Sequence, residues 1–418
     1  MKVLNEALME KMLEPENIAS AWKSVKENKG AAGIDGISIE EFPDHIRPHW
    51  EKVKMKVLEG SYKPAPVKRV YITKGKGSKR PLGIPTVLDR MLQQAMLQVL
   101  QVSFEPIFSK HSYGFRPGRS AHEAVKAAQA YITDGQDWVV DIDLKSFFDE
   151  LNHDILMHRV SKIISDKRML RLIGRFLRAG VYEDGEVIVA SKGVPQGGPL
   201  SPLLANIYLD PQDKELESRG LLFCRYADDC NIYVGSQRAA ERVFESIALW
   251  IEKHLKVPVN RDKSDTGRPW ERQFLGYQVT KDGKLKPAPK SLEKFRDRVR
   301  GTFNVRVSQT STELRDVWSQ FIRGWCQYYV LADEPYWRKG ISSWTRRHIR
   351  KCFWLRWHST KGRKSNLQKL GVPPWMLARC NLYGSAWPMS RHFVMNKALG
   401  NKTLKTYGFL VPSDFAVD

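Results

Sequence analysis

The stretch FCRYADDCNIYV, Phe223 to Val234, sets two adjacent carboxylates, Asp228 and Asp229, between apolar and aromatic runs. Such runs bury themselves as strands, whereas neighbouring carboxylates resist any place from which water is excluded. A tight β-hairpin meets both demands: its strands enter a core, and its tip carries Asp228 and Asp229 in the turn. A second acidic strand is readable upstream, in DWVVDIDLKSFFDELNH. There the period of two puts Asp141 and Asp143 on one face and Val140 and Ile142 on the other. Beside the hairpin, this strand would bring Asp143 to Asp228 and Asp229. At separations of ~4 Å, each pair of charges repels by about 4 kcal/mol at an effective dielectric of about 20. Divalent cations remove that cost. Two Mg2+ ions ~3.5 to 4 Å apart would serve an attacking hydroxyl and a leaving phosphate. Asp141, one pleat earlier, is expected to be structural.

Charge points to the partner. The 418 residues carry 68 Lys and Arg against 46 Asp and Glu, a net +22, which favours a polyanion such as nucleic acid. From Pro335 to Ser413 there are 16 Lys and Arg and no Asp or Glu, with Trp337, Trp344, Trp354, Trp357, Trp375 and Trp387 interleaved. Most of these tryptophans are expected in a core, with one or two left to stack on bases. No run approaches the ~18 apolar residues of a membrane span, and the N-terminus lacks a signal-type segment, so a cytoplasmic protein without membrane partners is expected. The five cysteines are odd in number and contain no CxxC pair, which argues against a disulfide framework or a zinc ribbon.

Periodicity divides the chain. PENIASAWKSVKENKG predicts an early helix with Pro15 at its start, Ile18, Trp22 and Val25 on one face, and Gly30 as a stop. Between about residues 60 and 285, short strand-like runs alternate with helical segments such as LDRMLQQAMLQVL and SAHEAVKAAQAYI, the pattern of an α+β domain. Three amphipathic helices follow. The middle one shows Leu314, Val317, Phe321, Trp325 and Tyr328 at helical spacing.

The YADD string is weak evidence alone, because Asp pairs are ordinary turn residues. The order of several motifs is specific. GAAGIDGIS, RPLGIPTVLDRMLQQA, HSYGFRPGRSAHEAV, DIDLKSFFDELNH, GVPQGGPLSPLLANIYLD, YADD, FLGY and FIRGWCQYY together resemble the group II intron-encoded reverse transcriptase/maturase family, from about residue 15 to beyond residue 380. The resemblance implies a right-hand polymerase, with fingers and an antiparallel-sheet palm, followed by an α-helical thumb. The expected divisions are residues 1–60 as an N-terminal extension, 61–285 as fingers and palm, 286–360 as thumb/maturase domain and 361–418 as a basic DNA- and RNA-binding region. No paired cysteines and histidines follow residue 380, so the chain resembles the shorter members that lack an endonuclease.

The implied activity is RNA-dependent DNA polymerisation, extending a DNA primer on an RNA template from dNTPs, with maturase binding of intron RNA for splicing and of a DNA target for retrohoming. Asp143, Asp228 and Asp229 are the implied catalytic and metal-holding carboxylates, joined by the Leu144 carbonyl, with Mg2+ as cofactor and Mn2+ as its substitute. Lys74 and Arg80 flank a glycine loop suited to a triphosphate. Thr73 and Gly75 stand where the family has prolines. Arg90 is implied at the triphosphate or template, and Gln196 and Gly197 at the incoming nucleotide. Phe148 is implied beneath its sugar, where it would exclude a 2'-hydroxyl and disfavour an RNA product. Lys263 is the implied proton donor to pyrophosphate, and Arg346, Arg347, Arg350 and Lys351 are candidate RNA contacts. The rival readings are a splicing factor with a vestigial polymerase and a domesticated defence or repair reverse transcriptase.

Overall fold

The first eight strands are β1 (Val67–Thr73), β2 (Lys79–Ile84), β3 (Trp138–Ile142), β4 (Val181–Glu183), β5 (Glu186–Ile188), β6 (Leu222–Tyr226), β7 (Asp229–Val234) and β8 (Asp265–Gly267), with β-branched and aromatic residues concentrated in β1, β3 and β7. The computed structural model describes residues 7–73, 79–189, 191–305, 309–333 and 336–415. The chain divides into two units, residues 1–268 and 269–418.

In the first unit, β2-β1-β4-β5 form one sheet and β6-β7-β3-β8 another. Pairing is antiparallel throughout except between β1 and β4. Val140, Ile142, Phe223, Cys230 and Ile232 are buried and join one core. That core includes Leu203, Leu204 and Ile207 from the helix Ser201–Ser218, and Ile247 and Ile251 from the helix Gln237–His254. The two long helices expected from periodicity form at Val87–Phe104, capped by the Thr86 side chain, and at Ala121–Thr133, where Ser120 and Glu123 make a reciprocal capping box. The early helix spans Pro15–Glu27 with Pro15 in its first turn.

The second unit opens with the hairpin β9 (Tyr277–Val279) and β10 (Leu285–Pro287), then the helices Pro289–Thr302, Ser311–Tyr328 and Tyr336–Arg356, followed by shorter ones. Its core gathers Phe295, Trp318, Ile322, Trp354, Val394 and Val411. The buried face of Ser311–Tyr328 runs through Leu314, Trp318, Ile322 and Cys326, and Val317 is 38% exposed. This corrects the expected stripe at Val317, while Leu314 is buried and Phe321 and Trp325 are partly buried against the core. The two apolar stripes share the core unequally: Trp318 is fully buried against Phe295 and Phe303, while Phe321 and Trp325 also meet Phe295 but stay partly exposed. Among the described residues, no helix is long and apolar enough to cross a membrane.

Candidate active site

Strand register assembles the carboxylates. β6 and β7 are joined by the two-residue turn Ala227–Asp228, closed by Tyr226 opposite Asp229. Asp229 is therefore the first residue of β7 rather than part of the turn. β3 lies on the other side of β7 with Ile142 opposite Cys230, and one further step along this register sets Asp143 opposite Asp229. Directly opposed residues share a face, so Asp143 and Asp229 project together with Asp228 at the adjoining tip. Asp141 faces Asn231 on β7 and Asp265 on β8.

The electrostatics follow from that crowding. The Asp229 carboxyl is pushed up to about 7, first by loss of solvent and then by the charges of Asp141, Asp228 and Asp143. Its side chain is exposed at the start of β7, so repulsion from three neighbouring carboxylates is the firmer of the two causes. A divalent cation supplies the charge that would relieve this repulsion, and hard carboxylate oxygens are its preferred donors. The donor chemistry therefore fits, although among the described residues no group of three or more His, Cys, Asp and Glu is gathered closely enough to hold an ion in this arrangement. Asp143 is instead engaged from across the sheet: Asn260 Nδ2 donates to its Oδ2 at 2.8 Å, and Lys263 Nζ stands 3.9 Å from the same oxygen. Its backbone is pinned as well, its amide donating to Ser264 Oγ at 2.9 Å and its carbonyl accepting from the Asn260 amide at 2.9 Å. Leu144 bridges to Val259. Sequence reasoning missed Asn260 and Ser264; their signal is only that they flank Lys263.

The GVPQGG segment is threaded between the Phe148 helix and β2. The Val194 amide donates to the Phe148 carbonyl at 2.7 Å, and the Gly83 amide donates to the Gln196 carbonyl at 2.8 Å. Gly197 adopts φ 127, and a Cβ there would lie 2.4 Å from the Gly83 oxygen, so only glycine passes so close to β2. Phe148 is half-buried and meets Phe147 edge-on at 5.3 Å. A cavity of about 430 Å³ opens here, lined by Gly83, Asp149, Lys192 and Gln196 among others. Arg80 stands on β2 opposite Ile72, and Lys74 lies outside the described residues. Arg90 is drawn away from any open surface: it is 8% exposed, and its Nη2 donates to the Ala31 carbonyl at 2.7 Å.

Residues 72–279 match the reverse transcriptase (RNA-dependent DNA polymerase) family, and residues 292–371 match the group II intron maturase-specific domain. The protein YkfC of Escherichia coli K12 is 34% identical over 299 residues, covering 62% of this chain and 78% of that relative. The chain belongs to the group II intron-encoded reverse transcriptase/maturase family. The group II intron-encoded protein LtrA of Lactococcus lactis is 29% identical over 426 residues, covering 77% of this chain and 70% of LtrA. Among solved structures, a Cas6-RT-Cas1–Cas2 complex aligns with TM-score 0.38 and 25% identity, over 59% of this chain and 42% of that one. A Candida albicans telomerase aligns with TM-score 0.41 and 12% identity, over 70% and 58% respectively. As a reverse transcriptase of this family, the chain is an RNA-directed DNA polymerase whose class depends on a divalent metal and binds nucleic-acid substrates.

The maturase unit holds the candidate RNA contacts unequally. Arg350 is 8% exposed, with Nε donating to the Leu399 carbonyl at 2.8 Å. Arg346 pairs with Asp414 at 3.4 Å. Arg347 lies over Trp387 at 3.8 Å. Lys351 is partly exposed. Trp354 is fully buried, as expected for a core tryptophan, whereas Trp375 is 60% exposed.

Proposed function

We propose that Asp143, Asp228 and Asp229, with the Leu144 carbonyl, hold the metal for DNA synthesis on an RNA template. The β3–β7 register, which ends at Ile142 opposite Cys230 and so leaves Asp143 and Asp229 next in line, supports this reading. When bound, two Mg2+ ions, with Mn2+ as substitute, would lower the pKa of the primer hydroxyl and hold the leaving phosphates. Phe148 would fill the space beneath the nucleotide sugar, and Gln196 and Gly197 would line the nucleotide's other side. Lys74 and Arg80 would grip the triphosphate. Lys263, close to Asp143 Oδ2, would deliver a proton to departing pyrophosphate. Arg90 would serve the site at one remove, by fixing the Gly30–Ala31 segment.

The second unit would bind structured intron RNA through its exposed bases, assisting splicing, and would engage a DNA target for retrohoming. These activities would take place in the cytoplasm, and on the nucleoid when DNA is bound. A vestigial polymerase is disfavoured because a binding-only protein has no use for clustered carboxylates beside a polyanion.

The test is extension of a DNA primer on an RNA template with Mg2+ and dNTPs. Asp228→Asn should reduce extension by more than about 100-fold, beyond the usual cost of losing a supporting group, while RNA affinity stays within about twofold. Full activity in that variant would sink the assignment.

A further inference from the structure

Behind the carboxylate face, on the opposite side of β6, lies a fully buried charge that the proposed chemistry does not use. Arg225 stands opposite Cys230, so its side chain projects away from Asp143 and Asp229. It is 0% exposed, as is Asp213 on the helix Ser201–Ser218. A guanidinium has five N–H donors, and all five are used. Nε and Nη2 form a fork with the two Asp213 oxygens at 2.7 and 2.5 Å. Nη2 also donates to Ser112 Oγ at 2.8 Å, and Nη1 donates to Asn206 Oδ1 at 2.9 Å. The remaining Nη1 bond, at 3.0 Å, goes to the carbonyl of Ala227.

That last acceptor gives the network its meaning. The Ala227 carbonyl belongs to the peptide that leads into Asp228, and Ala227 is a non-glycine residue at φ 58, a conformation L-residues rarely hold unaided. The rest of the network closes on the same turn. Asn206, while accepting from Arg225, donates through Nδ2 to the Gly114 carbonyl at 2.9 Å. Gly114 in turn lies so close that a Cβ there would meet the Ala227 nitrogen at 2.4 Å.

We propose that Arg225 is a positioning residue for polymerisation: from behind the sheet it clamps the Ala227 carbonyl and so fixes the direction in which Asp228 presents its carboxylate. Asp213 anchors the guanidinium, and Asn206 ties it to the backbone that covers the turn. The inference rests on the reading of Asp228 as a metal-holding group.

Arg225→Lys keeps a cation beside Asp213 but cannot reproduce the fork and the Ala227 bond together. Ser112→Ala removes one acceptor of the same guanidinium and leaves the clamp in place. The full-length variants are compared by Mn2+ binding to the protein alone, followed by electron paramagnetic resonance, by kcat and KM for dNTP, and by thermal midpoint. Arg225→Lys should weaken Mn2+ binding and lower kcat by about 10- to 100-fold with KM within about twofold, and Ser112→Ala should leave Mn2+ affinity unchanged. Should Arg225→Lys fail to fold, Arg225→Met with Asp213→Leu replaces the pair by apolar groups, a change that often preserves stability, and the same losses are expected in that folded protein. Normal Mn2+ affinity in either folded Arg225 variant, or losses in both single variants that merely track their thermal midpoints, would overturn the clamp. Asp228→Asn in the same series separates the two readings. If it retains Mn2+ binding, the role of Asp228 falls and the clamp with it; if it loses binding while the Arg225 variants do not, only the clamp falls.

Discussion

The sheet edge and the basic unit treat charge in opposite ways. Where β3 ends and β7 begins, loss of solvent and the charges of Asp141, Asp228 and Asp143 together push Asp229 up to about 7. In the second unit, several positive charges that look available are already satisfied inside the fold. Arg350 donates to the Leu399 carbonyl, Arg346 pairs with Asp414, and Arg363 donates to the Leu382 carbonyl at 2.6 Å. A count of charges therefore understates the tension at the first site and overstates the phosphate contacts available at the second. Lys361, Lys364, Lys369 and Arg379 are exposed, so they are better candidates for RNA than Arg346 or Arg350.

The largest expected effect breaks the comparison on the basic side. If Lys361, Lys364, Lys369 and Arg379 each meet a phosphate, changing all four to Gln should reduce the slope of log affinity against log salt by about 3.6. The affinity lost between ~50 and ~200 mM salt would then shrink by about 100-fold. Binding to a folded intron RNA across a salt series measures this, and extension on a short primer-template should be affected far less. An unchanged slope would remove these four residues from the interface.

A smaller effect sharpens the acidic side. Phe148→Ala should raise ribonucleotide incorporation relative to deoxynucleotide by about tenfold, the scale on which a shape-based pocket discriminates. The metal requirement should not change. Unaltered sugar preference in single-nucleotide extension would reduce Phe148 to packing against Phe147.

The smallest effect tests whether buried arginines belong to the fold. Arg350→Ala leaves the Leu399 carbonyl without its donor and should cost about 1–3 kcal/mol, read as a lower thermal midpoint. The salt slope of RNA binding should stay within about 0.5 of the parent. A full loss of about 0.9, one phosphate contact's worth, with an unchanged midpoint would return Arg350 to the RNA surface.

Local period made much of this legible. Alternation along DWVVDIDL put Asp141 and Asp143 on one face before any partner strand was known, and the apolar flanks of YADD marked a hairpin. Long-range choices were not legible. Nothing near Asp143 announces Asn260 or Ser264, more than 100 residues away, because a side-chain hydrogen bond leaves no local pattern. The helix Ser311–Tyr328 carries two apolar stripes, and only its neighbours decide that Trp318 and Ile322 are fully buried while Phe321 and Trp325 are partly so. Arg350 reads as one of a run of surface bases until the Leu399 carbonyl is found against it.

The thread from Val194 to Gln196 has a mechanical consequence. One end is tied to the Phe148 carbonyl and the other to the Gly83 amide, with only Pro195 between them, a residue whose φ is fixed by its ring. So short and stiff a link has no slack to take up strain. A displacement of β2 at Gly83 would be passed to the short helix that carries Phe148 instead of being absorbed on the way, so the first sheet and that helix should shift together like the two arms of one lever.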